Sequence, residues 1–418
     1  MDIKAGEFKV YKYRWVVLIV YLLSALTIQM LWTTFFSITL ESVRYYGFGP
    51  ESGETPISLL SIIFMVGMIA LSIPSMAAFE KLGYKKSVGL GVALMAVAAL
   101  VRGLFGDNYT MLVVCTVVFA VAQPFILNSV GIVPGKWFPV SERATANGLG
   151  LMSNYIGMMV GLLVTPVLLE SGMSIKNILI IYGIWSVIVG AAFVLLTKEA
   201  PPTPPCAEEE SLRSDFGEGL KTLMKKPPFI FMILGFFLVL GVFNVFFTLI
   251  EPILKHFSGG TVDSLQAGLI GVIILITGIV GSIVIPVLSD KSKGQRRKPF
   301  ILVFYLLGCV GYALFLLMSD FNGILVAAIM YGLFAVGVAP VIMTMSAEIS
   351  YPVSEGTSEG LLMFAGNVAG VIFLGIAGII GSNYSALMLL LAIVMFVAWV
   401  LYLFAKEIKK QDNATTQA

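Results

Sequence analysis

Long apolar segments recur along this 418-residue chain, and they constrain its fold more than any other feature. A helix needs roughly 20 consecutive apolar residues to cross ~30 Å of hydrocarbon. Hydrophobic residues make up 58% of the chain and charged residues only 12%, whereas a soluble domain is about 25% charged. The composition therefore excludes a soluble enzyme, a nucleic-acid-binding protein and a disordered chain. An outer-membrane barrel is excluded as well, because its strands alternate apolar and polar residues.

The apolar segments predict an all-α membrane protein with 12 transmembrane helices in two six-helix bundles. A polar, proline-containing linker predicts three regions: an N-terminal bundle (1–197), a cytoplasmic linker (198–226) and a C-terminal bundle with a short tail (227–418). The first span follows the N-terminus without a small-residue cleavage site, so we expect it to be an uncleaved helix. The predicted spans are residues 15–40, 57–79, 88–105, 111–133, 144–169, 177–197, 228–254, 265–288, 300–318, 323–346, 356–380 and 384–405.

The positions of the basic residues predict the orientation of these spans. With both termini in the cytoplasm, 22 of the 26 basic residues fall on the cytoplasmic side, as the positive-inside rule requires. The four others are Arg44, Arg102, Lys176 and Lys255. We interpret Arg102 as an outer-boundary anchor whose long side chain snorkels toward water. We therefore expect a multi-pass protein of the cell membrane, monomeric, with both termini cytoplasmic.

An internal repeat relates the two halves. The tetrapeptide Pro-Val-Ser-Glu at 139–142 recurs 213 residues later at 352–355, and the same offset relates Asn154 to Asn367 and Gly157 to Gly370. The loops at 83–86 and 294–297 correspond at an offset of 211. Repeated halves of this kind are typical of secondary transporters, whose site lies near mid-membrane at the repeat interface.

The repeated tetrapeptide predicts helix entrances and a cytoplasmic gate. Ser141 and Ser354 fit N-caps, and Glu142 and Glu355 suit the positive end of a helix. Two readings of these acids stay open: simple caps, or partners of the basic loops across the bundles while the inner side is closed. The predicted gate residues are Glu80, Lys85, Lys86, Glu142, Arg143, Asp290, Arg296, Arg297 and Glu355.

Polar side chains within the spans predict where a solute binds, because such residues usually face a cavity or the bundle interior. For Gln123 and Asn128, bonding between neighbouring helices is an equally good reading, whereas the repeat favours a functional role for Asn154 and Asn367. The polar candidates are Gln29, Trp32, Gln123, Asn128, Asn154, Tyr155, Asn244, Thr248, Glu251 and Asn367.

Glu251 is the candidate for a coupling site. It shares one helix face with Asn244 and Thr248 because the three are spaced i, i+4 and i+7. Two readings stay open: an interfacial carboxylate paired with Lys255, or a cation or proton site. We find no Arg or Lys at mid-membrane, which disfavours organic anions as substrates.

The sequence offers no cofactor or metal site. Cys115, Cys206 and Cys309 lie far apart and His256 is the single histidine, whereas a structural zinc site needs four ligands. We therefore expect no cofactor and no metal, and no acid pair or nucleophile–base set predicts an enzyme.

Two loops resemble a motif of the major facilitator superfamily. Residues 80–86, Glu-Lys-Leu-Gly-Tyr-Lys-Lys, are similar to its Asp-Arg-x-Gly-Arg-Arg loop, and residues 290–298 resemble it with one extra residue before Gly294. Residues 351–362, 121–127, 227–229 and 11–15 are similar to the feline leukaemia virus subgroup C receptor-related family. That resemblance implies facilitated passage of choline or ethanolamine, with haem export also claimed for the family.

The resemblance also implies a choline site, which this chain alters. The family joins a Trp, a Tyr and two Gln residues, and the matching positions here are Met30, Asn244, Tyr155 and Asn367. A quaternary ammonium prefers aromatic rings, so the cage is rearranged, and Trp32 and Tyr155 could rebuild part of it. The predicted substrate-binding residues are Gln29, Met30, Trp32, Gln123, Asn154, Tyr155, Asn244, Thr248 and Asn367.

Together these patterns predict an alternating-access secondary transporter in the lipid bilayer. Its substrate would be a small neutral or cationic organic solute, choline-like or ethanolamine-like solutes included, and uniport is the simplest mechanism. A proton-coupled carrier that uses Glu251 is the first alternative. The second is a membrane receptor or sensor without net transport.

Overall fold

The helices of the N-terminal half begin and end where apolar runs meet polar caps and glycines. The structure is a computed structural model, and it describes residues 8–49, 53–205, 222–292, 296–351, 353 and 355–407. Contacts divide the chain into two compact units, Met1–Glu210 and Ser211–Ala418. The helices of the first unit are α1 Arg14–Thr33, α2 Thr39–Tyr45, α3 Thr55–Leu82, α4 Tyr84–Leu104, α5 Tyr109–Leu127, α6 Ile132–Trp137, α7 Val140–Glu170 and α8 Ile175–Leu196.

The C-terminal half follows the same order of long helices and includes a short π-helix. Eleven helices of the described chain are long and apolar enough to cross a membrane, and Lys298–Leu314 is a shorter apolar one. The helices of the second unit are α9 Pro227–Thr248, α10 Ile250–Phe257, α11 Ser264–Asp290, α12 Lys298–Leu314, α13 Phe321–Met330, π1 Tyr331–Val336, α14 Ala339–Ser350, α15 Glu355–Ile380 and α16 Tyr384–Phe404.

Four predicted spans are interrupted rather than continuous, and this corrects the boundaries expected from hydropathy. Span 15–40 ends at Thr33 and resumes as α2, and span 228–254 ends at Thr248 and resumes as α10. Span 111–133 ends at Leu127 before α6, and span 323–346 passes through π1. Interrupted helices are typical of the binding regions of secondary transporters.

Hydroxyl groups stabilise the interruption after α1. Helix ends leave backbone carbonyls without intrahelical partners. The Oγ1 of Thr33 donates to the carbonyl of Gln29 at 3.0 Å, and the Oγ1 of Thr34 donates to that of Met30 at 2.9 Å. Thr39 donates in the same way to the carbonyl of Phe35 at 2.9 Å. The chain can therefore leave the helix inside an apolar region without stranding these oxygens.

Five helices that begin at the end of each bundle remote from the linker start with a local side-chain cap, whereas α3, which begins at the same end, has none. We call this the far end and the opposite one the linker end, which holds Glu199 and Lys226. Each cap oxygen accepts a backbone N–H of the first turn. These pairs are Asn108 with Met111 at 3.1 Å, Ser174 with Asn177 at 3.3 Å, Asp263 with Gln266 at 2.7 Å, Asp320 with Gly323 at 2.9 Å and Asn383 with Ala386 at 3.1 Å.

Candidate substrate-binding and gating residues

The close packing of α7 against α1 positions the predicted binding residues of the N-terminal half. A Cβ atom at Gly157 would lie 2.2 Å from the carbonyl oxygen of Leu26, and one at Gly161 would lie 2.1 Å from the Oγ1 of Thr33. Thr33 also donates to the carbonyl of Met158 at 3.3 Å. Only glycine permits this approach, which fixes the register of the two helices.

Four of the predicted residues in this half carry a buried polar atom without a hydrogen-bond partner among the described residues. These atoms are Gln29 Oε1, Trp32 Nε1, Gln123 Oε1 and Asn154 Oδ1. Buried polar groups are almost always bonded to protein or water. Three acceptors and one donor are therefore available to a solute or to water in this half.

The other predicted residues of this half have different surroundings. Met30 is buried in the apolar core of the bundle, and Tyr155 is half-buried. Asn128 donates to the Oγ of Ser75 at 3.0 Å and so links α3 to the segment after α5. Of the two amides with open readings, Asn128 therefore bonds a neighbouring helix, and Gln123 keeps a free oxygen.

In the C-terminal half, Asn244 and Thr248 lie in the last turns of α9. Both are buried, and the Oγ1 of Thr248 has no hydrogen-bond partner in the described part of the chain. Asn367 is half-buried, and its amide donates to the carbonyl of Met363 at 2.9 Å within its own helix. Its oxygen is the part of the side chain that could contact a solute.

Glu251 is buried, at 1% exposure, in the first turn of α10. Its Oε1 accepts a hydrogen bond from the Oγ of Ser264 at 3.1 Å. The positive end of α10 stabilises a carboxylate there. Pro252 has no N–H to give to a preceding carbonyl, so the helix restarts at this point.

Arg102 does not snorkel, so our interpretation of it as a boundary anchor is wrong. Its side chain is 2% exposed, and its Nη1 donates to the carbonyl of Leu31 at 3.3 Å. The guanidinium lies 4.9 Å from the ring of Phe119. Asp107 instead pairs with Lys176 and accepts a bond from the Tyr45 hydroxyl at 2.5 Å. Those two bonds hold the pKa of Asp107 below its usual range.

At the linker end, Glu199 caps α4 from a distant part of the chain, which sequence reasoning missed. Its carboxylate accepts the backbone N–H groups of Tyr84 at 2.9 Å and Lys85 at 2.7 Å, and pairs with Lys136 at 2.5 Å. Gly83 has φ +81°, and a Cβ there would lie 2.8 Å from the carboxylate. Burial raises the pKa of Glu199, but the bonds outweigh it and lower that pKa overall.

The C-terminal half repeats this arrangement. Glu407 follows the end of α16 by three residues, as Glu199 follows α8, and it accepts the backbone N–H of Arg297 at the start of α12. Lys198-Glu199 and Lys406-Glu407 are thus a further repeated pair. The repeated Lys-Glu dipeptide is the signal that could have identified both caps.

Arg297 is the centre of the predicted gate residues in the C-terminal half. It pairs with Asp290 and donates from Nε to Glu348 at 3.4 Å. Its Nη1 also donates to Ser289 at 3.2 Å. Burial opposes the charged form, but these partners raise the pKa of Arg297 overall.

Glu142 pairs within its own half. Its carboxylate accepts two hydrogen bonds from Nη2 of Arg14, at 3.0 and 3.2 Å, and one from its Nε at 3.2 Å. Ser141 is not the predicted N-cap, because α7 begins at Val140 and its N-cap is Pro139, without a side-chain bond. Ser354 and the side chain of Glu355 lie outside the described residues.

Lys226 lies at the start of α9, as Arg14 lies at the start of α1. Its Nζ donates to the carbonyls of Ile349 at 3.0 Å, Ser350 at 3.2 Å and Tyr351 at 2.6 Å, which end α14. Burial lowers the pKa of Lys226. A cation at the start of each half therefore bonds near the entrance to its fifth long helix: Arg14 to the first turn of α7, and Lys226 to the end of α14 that precedes α15.

The remaining predicted gate residues lie on the surface or bond locally. Glu80, Lys86 and Arg296 are exposed, Lys85 is half-buried, and the Nε of Arg143 donates to the carbonyl of Phe138 at 3.2 Å. The described residues hold no group of three or more His, Cys, Asp or Glu side chains that could bind a metal ion.

Comparison with known proteins gives the family. The model of the Major Facilitator Superfamily matches residues 17–347 and 296–418. The chain is 28% identical to the choline/ethanolamine transporter FLVCR2 of Rattus norvegicus over 395 residues, which cover 90% of this chain and 71% of that protein. It is 27% identical to solute carrier family 49 member A3 of Xenopus tropicalis over 388 residues, covering 88% and 78%.

A solved structure has the same fold. A crystal structure of a bacterial homologue of the human lysosomal transporter Spinster, inward-facing and unoccupied, superposes with a TM-score of 0.76 at 18% identity, covering 95% of this chain and 98% of that chain. The fold is all-helical and spans the membrane several times. Its relatives are transporters and not enzymes. This chain is not an enzyme either. The chain belongs to the Major Facilitator Superfamily of membrane transporters, and it is similar to transporters of FLVCR type.

Proposed function

We propose that this protein moves a small neutral or cationic organic solute across the cell membrane by alternating access. The observation that carries this proposal is the set of unpartnered buried atoms of Gln29, Trp32, Gln123 and Asn154. Amide oxygens and an indole N–H bind ammonium, hydroxyl or carbonyl groups of a solute. Both termini are cytoplasmic in this proposal, and the protein works as a monomer.

Choline and ethanolamine are the first solutes to test, because relatives at 27–28% identity are choline/ethanolamine transporters. Met30 and Asn244 stand where the family has aromatic residues, which weakens a cage for a quaternary ammonium. The acceptor oxygens of Gln29 and Asn154 are better suited to a group that donates hydrogen bonds. We therefore expect ethanolamine to be preferred to choline.

The proposed mechanism uses the interrupted helices and the linker-end contacts. The breaks after Thr33 and Thr248 let α2 and α10 change orientation relative to α1 and α9 without unfolding a continuous helix. Arg14, Glu199, Arg297 and Glu407 hold the linker end of each half as a rigid unit. The solute gradient alone drives uniport in this mechanism.

Uptake into proteoliposomes tests the proposal. We expect radiolabelled ethanolamine or choline to accumulate to equilibrium, and Asn154→Ala to raise the half-saturation concentration about tenfold, equivalent to ~1.4 kcal/mol. Asn128→Ala is the matched control, because that amide already bonds Ser75. Binding of the solute without uptake would favour the receptor alternative. Neither binding nor uptake of any amine would reject the proposal.

A proton-coupled carrier is the second candidate, favoured by the burial of Glu251 at the break of α9 and α10. A buried ionisable residue in a span is characteristic of proton relays. Uptake with and without a pH gradient separates the two mechanisms. Coupling predicts stimulation by the gradient that Glu251→Gln abolishes, whereas uniport predicts equal rates under both conditions.

A further inference from the structure

Arg102 is a buried cation that the proposed mechanism does not use. Its side chain is 2% exposed within the N-terminal half. One nitrogen, Nη1, donates to the carbonyl of Leu31 at 3.3 Å. The rings of Phe119 and Phe35 lie 4.9 and 5.9 Å from the guanidinium carbon. The carbonyl of Leu31 therefore contacts one edge of the guanidinium, and the two aromatic rings lie over its faces.

The other edge of the guanidinium is buried and lacks hydrogen-bond partners within the described part of the protein. Neither Nε nor Nη2 has a hydrogen-bond partner in the described ranges of the chain. Arg102 takes no part in the ion pairs Arg14–Glu142, Lys136–Glu199 and Lys176–Asp107 of this half. A charge buried in this way is costly unless a counter-charge and acceptors accompany it.

The corresponding position in the C-terminal half shows which kind of side chain is enough for packing there. Phe315, 213 residues after Arg102, lies at the end of α12 with its ring 5.0 Å from that of Phe246. Phe246 precedes the end of α9 by two residues, as Leu31 precedes the end of α1. Tyr331, 212 residues after Phe119, packs 6.5 Å from Phe315. The C-terminal half fills the corresponding place with uncharged rings.

The charge of Arg102 is therefore not needed to close a bundle of this fold. The Nε and Nη2 groups are the two donors that form a side-on fork, and this fork matches two oxygens of one carboxylate or phosphate. A single chloride would not use this planar geometry. The unpartnered atoms thus indicate both the sign and the shape of a ligand that would match this edge.

We propose that Arg102 is an oxyanion-binding subsite, which receives a carboxylate or phosphate group on its Nε/Nη2 edge. Phe35 lies in the non-helical segment between α1 and α2 and covers one face of the guanidinium. Displacement of this ring would open a way to the fork. The oxyanion comes either from solution or from the acidic group of a zwitterionic solute.

Thermal unfolding of the purified full-length protein tests this subsite. The probes are sodium formate, sodium phosphate and glycine, each compared with sodium chloride at matched ionic strength. A ligand of the native state produces a saturable rise in the unfolding temperature. We expect such a rise with formate or phosphate for the wild type, its loss in Arg102→Met, and its retention in Lys176→Met, which removes an exposed cation of the same half.

Arg102→Lys covers the case in which Arg102→Met fails to fold. A lysine keeps the charge and loses the fork, so we expect its half-saturation concentration for formate to rise about tenfold. If glycine raises the unfolding temperature and formate and phosphate do not, the group that binds Arg102 is the carboxylate of a zwitterionic solute. Equal rises in the unfolding temperature of the wild type and both Arg102 variants mean an adventitious ion only and overturn the subsite. The lack of any rise with all three probes overturns it as well. These outcomes do not depend on uptake of choline or ethanolamine.

Discussion

Glu199 shows how much one side chain at the linker end can organise. Its carboxylate accepts two backbone N–H groups at the start of α4 and pairs with Lys136. Anions at helix N-termini are stabilised by the free N–H groups and by the helix dipole. One residue therefore connects the end of α8 with the start of α4 and with α6 of the same half.

The lowered pKa of Glu199 makes the stability of this half depend on pH. When folding lowers the pKa of an acid, its contribution is present above the unfolded pKa and is lost as the pH falls through the folded pKa. We expect the wild type to lose unfolding temperature steeply between about pH 5 and pH 3. Glu199→Gln should be less stable at neutral pH, by about 1 kcal/mol, and should lose less in this interval.

The matched comparison is Glu80→Gln, which changes an exposed acid of the same half and should keep the wild-type pH profile. Circular dichroism of the purified variants gives the unfolding temperatures. Identical pH profiles for the wild type and Glu199→Gln would contradict the assignment of Glu199 as a charged cap.

Single residues were predictable from the sequence when their type was unusual for their surroundings. Gln29, Gln123 and Asn154 are polar residues in apolar runs, and the structure leaves an oxygen of each unpartnered. Glu199 lies in a polar linker, where an acid is ordinary, so its long-range capping could not be read from its neighbours. Arg102 was misjudged because a boundary position permits snorkelling, and only the three-dimensional contacts show its burial.

At the scale of elements, the glycines of α7 determine how closely it packs on α1. A Cβ at Gly161 would meet the Oγ1 of Thr33 at 2.1 Å and the carbonyl of Met30 at 2.9 Å. Forcing an extra carbon into such a contact typically costs about 1–3 kcal/mol. We expect Gly161→Ala to lower the unfolding temperature and to reduce any uptake that depends on Gln29 and Trp32.

Gly148→Ala in the same helix is the control, because a Cβ there meets nothing within 4 Å. Replacing glycine by alanine inside a helix stabilises it by about 0.5–1 kcal/mol, so this variant should be as stable as the wild type or slightly more so. Thermal unfolding of the two variants under one condition makes the comparison. An equal loss in both would mean that α7 does not need glycine at its contact with α1.

The existence of the long helices was predictable from hydropathy, but the interruptions of four of them were not. An apolar run reports burial in lipid and not whether its backbone stays helical. Thr33, Thr34 and Thr39 were the available signal after α1, since their hydroxyls donate to carbonyls at the end of that helix and in the segment that follows it. After α9, Pro252 was the signal, because it cannot donate to a preceding carbonyl.

For the whole molecule, the internal repeat explains why the two halves share the same order of helices and similar linker-end contacts. The halves differ at single positions. Glu199 and Glu407 cap corresponding helices, and Arg14 and Lys226 bond near the entrances to corresponding helices, α7 and α15. The tetrapeptides at 139–142 and 352–355 were enough to detect the repeat. The place where the halves diverge, Arg102 against Phe315, needed coordinates, because the sequence offset alone does not show that both side chains lie against the end of an interrupted helix.

The placement of basic residues predicts the topology of the whole molecule, and one native cysteine makes it measurable. Cys206 lies in the central linker, and 22 of the 26 basic residues fall on the linker's side of the membrane if both termini are cytoplasmic. In intact cells a membrane-impermeant maleimide should leave Cys206 unlabelled, and permeabilisation should expose it. Cys115 is buried in the bundle, so its contribution to labelling is small.

The matched variant carries Cys206→Ser together with Ser171→Cys. Ser171 is an exposed residue at the far end of α7, so the same reagent should label this variant in intact cells without permeabilisation. Labelling is read from the shift in gel mobility with a polymer-linked maleimide. The reverse pattern, with Cys206 labelled in intact cells and the variant protected, would invert the predicted orientation. It would also move the caps formed by Glu199 and Glu407 to the outer side, where they could not form part of a cytoplasmic gate.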